Sequence, residues 1–372
     1  MSDWKQMTLA EVTFKVTDGS HHSPSEYKNG LPMFSVKDMR DQGFCYDGAK
    51  TISEADYYKL IKLGCQPEID DILIAKDGSV LKHIFRVNRN PDYVLLSSIA
   101  IIRPNKNLVD PAFLVYSIKE PGTKDLILNN FVGGSGVPRI VLKDFKQIEL
   151  VIPDLNTQKS IASILTSLDD KIDLLHRQNK TLEQMAETLF RQWFVVEAKE
   201  EWEEVPLSNF ADFFNGKSRP KEEGLVPVYG GNGILGYANK SNYSGKSIIV
   251  GRVGAYCGSL YYENKDVWVS DNALLVKAKY DNATHFLFYL LKTLDLNSMA
   301  IGSSHPLLTQ TLLKSIEIQE PPIDRIKEFD LMVGTMINKI EANQTQIRTL
   351  TAMRDSLLPK LMSGEVRVEE AM

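Results

Sequence analysis

Residues 158–194 read QKSIASILTSLDDKIDLLHRQNKTLEQMAETLFRQWF. Ile161, Leu165, Leu168, Ile172, Leu175, Asn179, Leu182, Ala186, Leu189 and Trp193 follow one another by alternating steps of four and three. That is the period of a coiled-coil seam, narrower than the apolar stripe of a globular surface helix. One seam position, Asn179, is polar. The alternation returns at Phe329, Val333, Met336, Ile340, Asn343, Ile347, Leu350, Arg354, Leu357 and Leu361, each 168 positions after its counterpart (329 − 161 = 168). The chain is therefore two halves, each ending in a long helix.

A lone helix with one exposed apolar seam is marginal in water, so the two helices are expected to pack on each other within one molecule. A self-paired dimer of each helix is the alternative. A tandem copy supplies its partner at high effective concentration, which favours the intramolecular pair. Halves related by a pseudo-two-fold axis run their helices antiparallel, with a globular head at each end of a spacer of roughly 50 Å. The fold class is then α+β: two mixed heads joined by two long helices. The expected boundaries are 1–155 and 199–322 for the heads, 156–198 and 323–365 for the spacer helices, and 366–372 for a tail.

At 372 residues, 43% hydrophobic and 24% charged, the chain has room for two ordered domains besides the helices. No basic start precedes an apolar run and no stretch approaches the length of a membrane span, so a cytoplasmic protein is expected. Cys45, Cys65 and Cys257 show no metal-ligand spacing, which fits buried thiols in a reducing compartment. The net charge of −5 leaves DNA binding neither favoured nor excluded, since local basic patches are hidden in the sum.

The first head breaks at residues 17–24, a run of turn formers. Strand-like runs follow at 32–36, 71–76 and 93–103, then helical runs at 113–119 and 124–129, a glycine-rich loop at 133–139 and a strand at 145–152. The second head repeats the order. Residues 202–207 echo 4–9, residues 226–229 echo 31–34, and residues 247–254 stand where 71–78 stood. Residues 286–292 match 113–119 at a step of 173 (286 − 113 = 173), and residues 302–306 answer 134–138. The frameworks agree while the loops differ, as when one scaffold presents two recognition surfaces.

The glycine-rich run ending at Arg139, then 148–153, then Gln158 and the seam through Leu168 and Asp169, resembles the specificity subunit of a type I restriction-modification enzyme. The resemblance covers nearly the whole chain, as two target-recognition domains each followed by a spacer helix. It departs at Asp154-Leu155, where a second proline is commoner, and at Ile326, which matches Gln158. It implies a non-catalytic DNA-recognition chain that binds double-stranded DNA, two methyltransferase subunits and restriction subunits. It also implies no cofactor in this chain, with S-adenosylmethionine, ATP and Mg held by the partners.

Several fragments imitate catalytic motifs. Asn90-Pro-Asp-Tyr93 approaches the Asn-Pro-Pro-Tyr of adenine methyltransferases, but Asp92 replaces the second proline and no glycine-rich cofactor turn lies upstream. The sequences ending at Ser247 and Ser218 lack the first glycine of a phosphate loop. Asp154, Asp169 and Lys171 imitate a nuclease set, but the last two fall on the spacer helix, where solvated charges are expected. His21 and His22 lack companions at metal-ligand spacing, so no metal site is expected.

Reading base edges needs forked donors and acceptors on surface loops, with cations around them for phosphate. The candidates in the first head are His21, His22, Ser23, Lys76, Ser79, Lys82, Ser135 and Arg139. In the second they are Lys217, Arg219, Tyr229, Asn232, Arg252, Tyr256, Ser303, Ser304 and His305. Three functional readings stand: a DNA-recognition subunit, a stand-alone bipartite DNA-binding regulator, and a non-DNA coiled-coil scaffold.

Overall fold

The computed structural model describes residues 4–134, 136–302 and 306–368. The chain divides into two compact units, residues 1–174 with 347–372 and residues 175–346, and each long helix contributes a segment to both.

Unit 1 is built on a four-stranded antiparallel sheet in the order Thr13–Asp18, Ile99–Pro104, Ile72–Ala75, Ile84–Arg86. The strand Ile72–Ala75 reads Ile-Leu-Ile-Ala and is buried along its whole length, so both its faces are covered. Ile72 and Ile74 join Ala100, Ile102, Phe113 and Ile161 in one core, while Leu73 and Ala75 join Phe34, Phe85 and Tyr93 in another. In the second core the rings of Phe34 and Phe44 stack with centroids 4.3 Å apart, and Tyr93 meets both. A smaller piece orders Thr51–Ile52, Leu31–Phe34 and Val94–Leu95, with Met33 and Val94 paired in parallel. A ribbon pairs Lys5–Thr8 with Glu149–Ile152.

Local chemistry sets the helices of unit 1. Asp110 accepts from the amides of Ala112 and Phe113, and Pro111 occupies the first turn of Pro111–Lys119. Glu120 ends that helix and caps the next, Pro121–Phe131, through the amides of Gly122 and Thr123. Three details differ from the sequence reading. Residues 93–103 form two strands, because the chain turns at Ser97 and Ser98 with the Ile99 amide bonded to the Leu96 carbonyl. Residues 142–145 are a short helix that sinks Phe145 into the core, leaving Glu149–Ile152 as the strand. The helix Glu54–Lys62 carried too short an apolar face, Tyr57 and Leu60, to show a period.

Unit 2 repeats these three sheets. Its four strands run Ala211–Asn215, Ala273–Ala278, Lys246–Gly251, Leu260–Asn264. The smaller piece orders Gly233–Ala238, Val226–Gly230 and Trp268–Val269, again with a parallel pair, Val228 and Trp268. The ribbon pairs Glu204–Pro206 with Glu317–Gln319. The pseudo-repeat of the sequence is thus a repeat of sheet topology.

The long helices are Leu155–Arg191 and Ile323–Met362, of 37 and 40 residues. Every seam position is buried or half-buried. Within each unit the two segments run antiparallel. In unit 1, Leu358 and Leu361 share a core with Ile161 and Leu165, and the Arg354 Nη1 donates to Asp169 Oδ1 at 2.8 Å. Asp169 also accepts from the Tyr116 hydroxyl, so it is a half-buried anchor and not the solvated charge expected on the spacer. In unit 2, the buried Asn343 donates its amide to Asn179 Oδ1 at 2.8 Å and to Gln178 at 2.9 Å. Near the end of the first helix the buried stripe runs on from the seam residue Ala186 to Phe190 and Phe194 and leaves Leu189 and Trp193 half-buried, and residues Gln192–Val196 take up π-helical geometry. There the helix packs on Phe286 and Phe329 with a broad face, and the narrow seam gives way to a globular contact.

The departure at Ile326 has a structural counterpart. In unit 1 the wholly buried Gln158 accepts from the Asp110 amide and donates to the carbonyls of Leu108 and Pro153. It thereby ties the long helix to the capped start of Pro111–Lys119. In unit 2 the matching position is the buried Ile326, and Ala283 stands at the start of Thr284–Thr293 with no capping side chain. The long helix supplies the cap instead: Asp330 accepts from the amides of His285 and Phe286 and lies 3.1 Å from the His285 Nδ1. Burial by itself would raise the Asp330 carboxyl, but the His285 ring and the two amides bring it below the ordinary carboxyl range. Gly334 stands one turn on, where a Cβ would lie 3.3 Å from the His285 ring.

Candidate nucleic-acid interface

The loops that join the sheet strands meet at one place in each unit, held there by main-chain bonds. In unit 1 the Gly78 amide donates to the Pro138 carbonyl at 2.7 Å, Asp77 bridges Arg139, and Gly133 pairs with Arg139. Gly78 has φ +72°, and the buried Leu81 takes φ +54°, a left-handed conformation costly for a branched side chain. The loop after the central strand is thus a tight, plugged turn. In unit 2 the Gly254 amide donates to the Pro306 carbonyl at 3.1 Å, Val253 bridges Leu307, and Ile301 pairs with Leu307. The stitch is the same although the residues differ.

The third loop arrives through a close approach. A Cβ on Gly19 would collide with the Leu95 carbonyl, and one on Gly216 with the Ser270 carbonyl, so only glycine fits either position. From these points the chain passes directly into His21 and His22, or into Lys217 and Arg219.

In unit 1, His21, His22, Ser23, Ser79, Lys82 and Arg139 are exposed at these loops. The His21 Nε2 lies 3.3 Å from Asp18, and Ser23 accepts from Lys50 at 2.7 Å. Lys76 corrects the expectation of a surface cation. It is buried, with its ammonium 3.4 Å from Asp18 and 3.3 Å from Asp77, so its charge is spent inside the cluster. In unit 2, Lys217, Arg219, Asn232 and Tyr256 are exposed, Asn232 at the two-residue turn of the hairpin Val226–Gly230 and Gly233–Ala238. Tyr229 is the second correction. It is buried, its hydroxyl donates to Glu263, and burial followed by that carboxylate drives its phenol far above the ordinary range. Arg252 is half-buried, with its Nη1 donating to Asn215 Oδ1 at 3.2 Å. Ser135, Ser303, Ser304 and His305 lie outside the described residues.

The close approach adds Gly19 and Gly216, and the residues before them, Asp18 and Asn215, to the residues that build the site. Their signal was the Asp-Gly and Asn-Gly pairs that close the first sheet strand in each half. Tyr93 lies in the aromatic core and Asp92 accepts from Tyr46 at 2.7 Å, with burial and then Asp92 pushing that phenol up to about 12. Among the described residues no cluster of His, Cys, Asp or Glu has metal-binding geometry, and no helix is long and apolar enough to cross a membrane.

A family model described as the type I restriction modification DNA specificity domain matches the chain twice, at residues 1–184 and 199–351. The chain belongs to this family. The two matches begin in the two repeated heads, so each half is one specificity domain with its helix. The specificity subunit of type I restriction enzyme MjaIX from Methanocaldococcus jannaschii is 26% identical over 429 residues, covering 99% of this chain and 94% of that protein. The HindI specificity subunit from Haemophilus influenzae is 24% identical over 472 residues, covering 98% of this chain and all of that protein. The crystal structure of an S subunit of a type I restriction-modification system from M. genitalium has the same fold, with a TM-score of 0.69, 17% identity and 96% of each chain covered.

Proposed function

We propose that this chain is the non-catalytic DNA-recognition subunit of a type I restriction-modification enzyme, and that each unit reads one half-site through its stitched loop cluster. One observation carries the reading: the same backbone stitch recurs in both units and presents different side chains. His21, His22, Ser79, Lys82 and Arg139 face the first half-site; Lys217, Arg219, Asn232, Arg252 and Tyr256 face the second. The target is therefore bipartite and asymmetric, each half-site about 3 to 5 base pairs, the reach of one small head in a groove. Methyl transfer and cleavage belong to partner chains, which hold S-adenosylmethionine, ATP and Mg. Two methyltransferase subunits bind per chain, one for each copy of the repeat, together with restriction subunits.

Mapping methylated bases in cells that carry the complete system tests the first claim. A bipartite asymmetric motif is expected, and a palindromic or uninterrupted one overturns it. Native mass spectrometry of the reconstituted methyltransferase should give two such subunits per chain. The purified chain with S-adenosylmethionine and target DNA should transfer no methyl group until the partner is added.

A further inference from the structure

The two clusters hold a cation at the same structural position and treat its charge in opposite ways. Lys76 and Arg252 each follow the central strand directly, and their amides donate to the carbonyls of Ser98 and Asn272 at matching turns. Each reaches back to the residue that ends the first sheet strand, Asp18 for Lys76 and Asn215 for Arg252. The Lys76 ammonium lies between two carboxylates, Asp18 and Asp77. Arg252 has a neutral amide where Lys76 has Asp18, and Val253 where Lys76 has Asp77. Among the described residues no ion pair includes Arg252, and its guanidinium bonds the neutral Asn215. A half-buried guanidinium without a counter-charge is costly unless a ligand completes it.

We propose that Arg252 is the specificity-determining residue of unit 2, oriented by Asn215 to present its guanidinium fork to the O6 and N7 of a guanine in that half-site. Lys76 is a positioning residue in unit 1, where Asp18 and Asp77 leave no cation free at that position. The fork has the spacing of the guanine major-groove edge, and a neutral partner such as Asn215 orients it without cancelling its charge. This rests on the reading of the chain as a DNA-recognition subunit.

The test uses the chain assembled with its methyltransferase subunits and duplexes carrying the site the wild-type enzyme methylates. Each guanine of the unit-2 half-site is replaced in turn by 7-deazaguanine or adenine. Wild type should lose roughly tenfold to a hundredfold in affinity at one such guanine. R252A should lose a similar factor on the unmodified site and become indifferent to the replacement, with the unit-1 half-site preference unchanged. N215D, which recreates the neutralised arrangement of Lys76, should also lose the sensitivity to guanine replacement in the unit-2 half-site, and a melting temperature within a few degrees of wild type certifies its fold. A half-site without guanine, or R252A that keeps full sensitivity to the replacement, overturns the proposal. So does R252A that weakens binding equally on all sequences with a lower salt slope, because that is a phosphate contact. A wild-type complex that methylates no specific site and binds DNA without sequence preference overturns the DNA-recognition reading itself, which separates the two outcomes.

Discussion

Replacing Gln158 by leucine removes three hydrogen bonds from a fully buried position while keeping its volume. The bonds are those from the Asp110 amide at 2.7 Å and to the carbonyls of Leu108 at 3.1 Å and Pro153 at 2.8 Å. At about 1 kcal/mol net for each bond the loss is about 3 kcal/mol, and three stranded buried partners push it higher. For a unit of some 200 residues this lowers the melting temperature by roughly 6 to 12 °C. Calorimetry should show the loss, and hydrogen exchange should confine it to unit 1, around residues 108–113 and 153–158. Unit 2 supplies the reciprocal variant: Ile326→Gln places an amide in an apolar core and should destabilise unit 2 alone. A Gln158→Leu protein within about 0.5 kcal/mol of wild type refutes the view that this side chain joins the long helix to its head.

Three other outcomes are expected. The double variant Asn179→Leu with Asn343→Leu should be as stable as wild type or more stable by about 1 to 2 kcal/mol in urea unfolding, since the buried Asn343 Oδ1 has no partner among the described residues, whereas either single change should destabilise. Asp330 should make unit 2 acid-sensitive: its folded carboxyl lies below the ordinary 3.8, so its contribution is fully present above that value and is lost as pH falls through the folded one. The stability difference between wild type and Asp330→Asn should be flat from pH 7 to about 5 and shrink in stronger acid; a difference that grows in acid contradicts the assignment. Lys82→Ala should weaken DNA binding about equally on all sequences and reduce the salt slope by about 1, as for a lost phosphate contact.

The duplicated architecture was legible because the seam and the repeat are properties of spacing, and spacing survives divergence of the residues between. Burial of individual loop residues was not. Tyr229 reads as a surface donor because its partner Glu263 is more than thirty positions away, and Lys76 because the burial that turns it inward depends on Asp18, far off in sequence, as well as on the adjacent Asp77. Asp169 read as a solvated charge for the same reason, its partners Tyr116 and Arg354 lying far off along the chain. The movement of the buried stripe onto Phe190 and Phe194 was hidden too, because a coiled-coil period continues through those residues until a globular surface competes for them. The exchange of Gln158 for Ile326 was visible as a departure, but its compensation by Asp330 required knowing which helix start the long helix passes.

The stitch between loops is made of peptide groups, which every residue carries alike. Gly78 to Pro138 and Gly254 to Pro306 hold whatever side chains flank them, so the letters written on these loops are separable from the frame that holds them. A lineage that must change its target faster than it rebuilds its assembly surfaces has, in such a frame, residues it can redraft at small thermodynamic risk. Libraries randomised at residues 79, 219, 232 and 256, with the glycines and prolines fixed, are a direct starting point for retargeting.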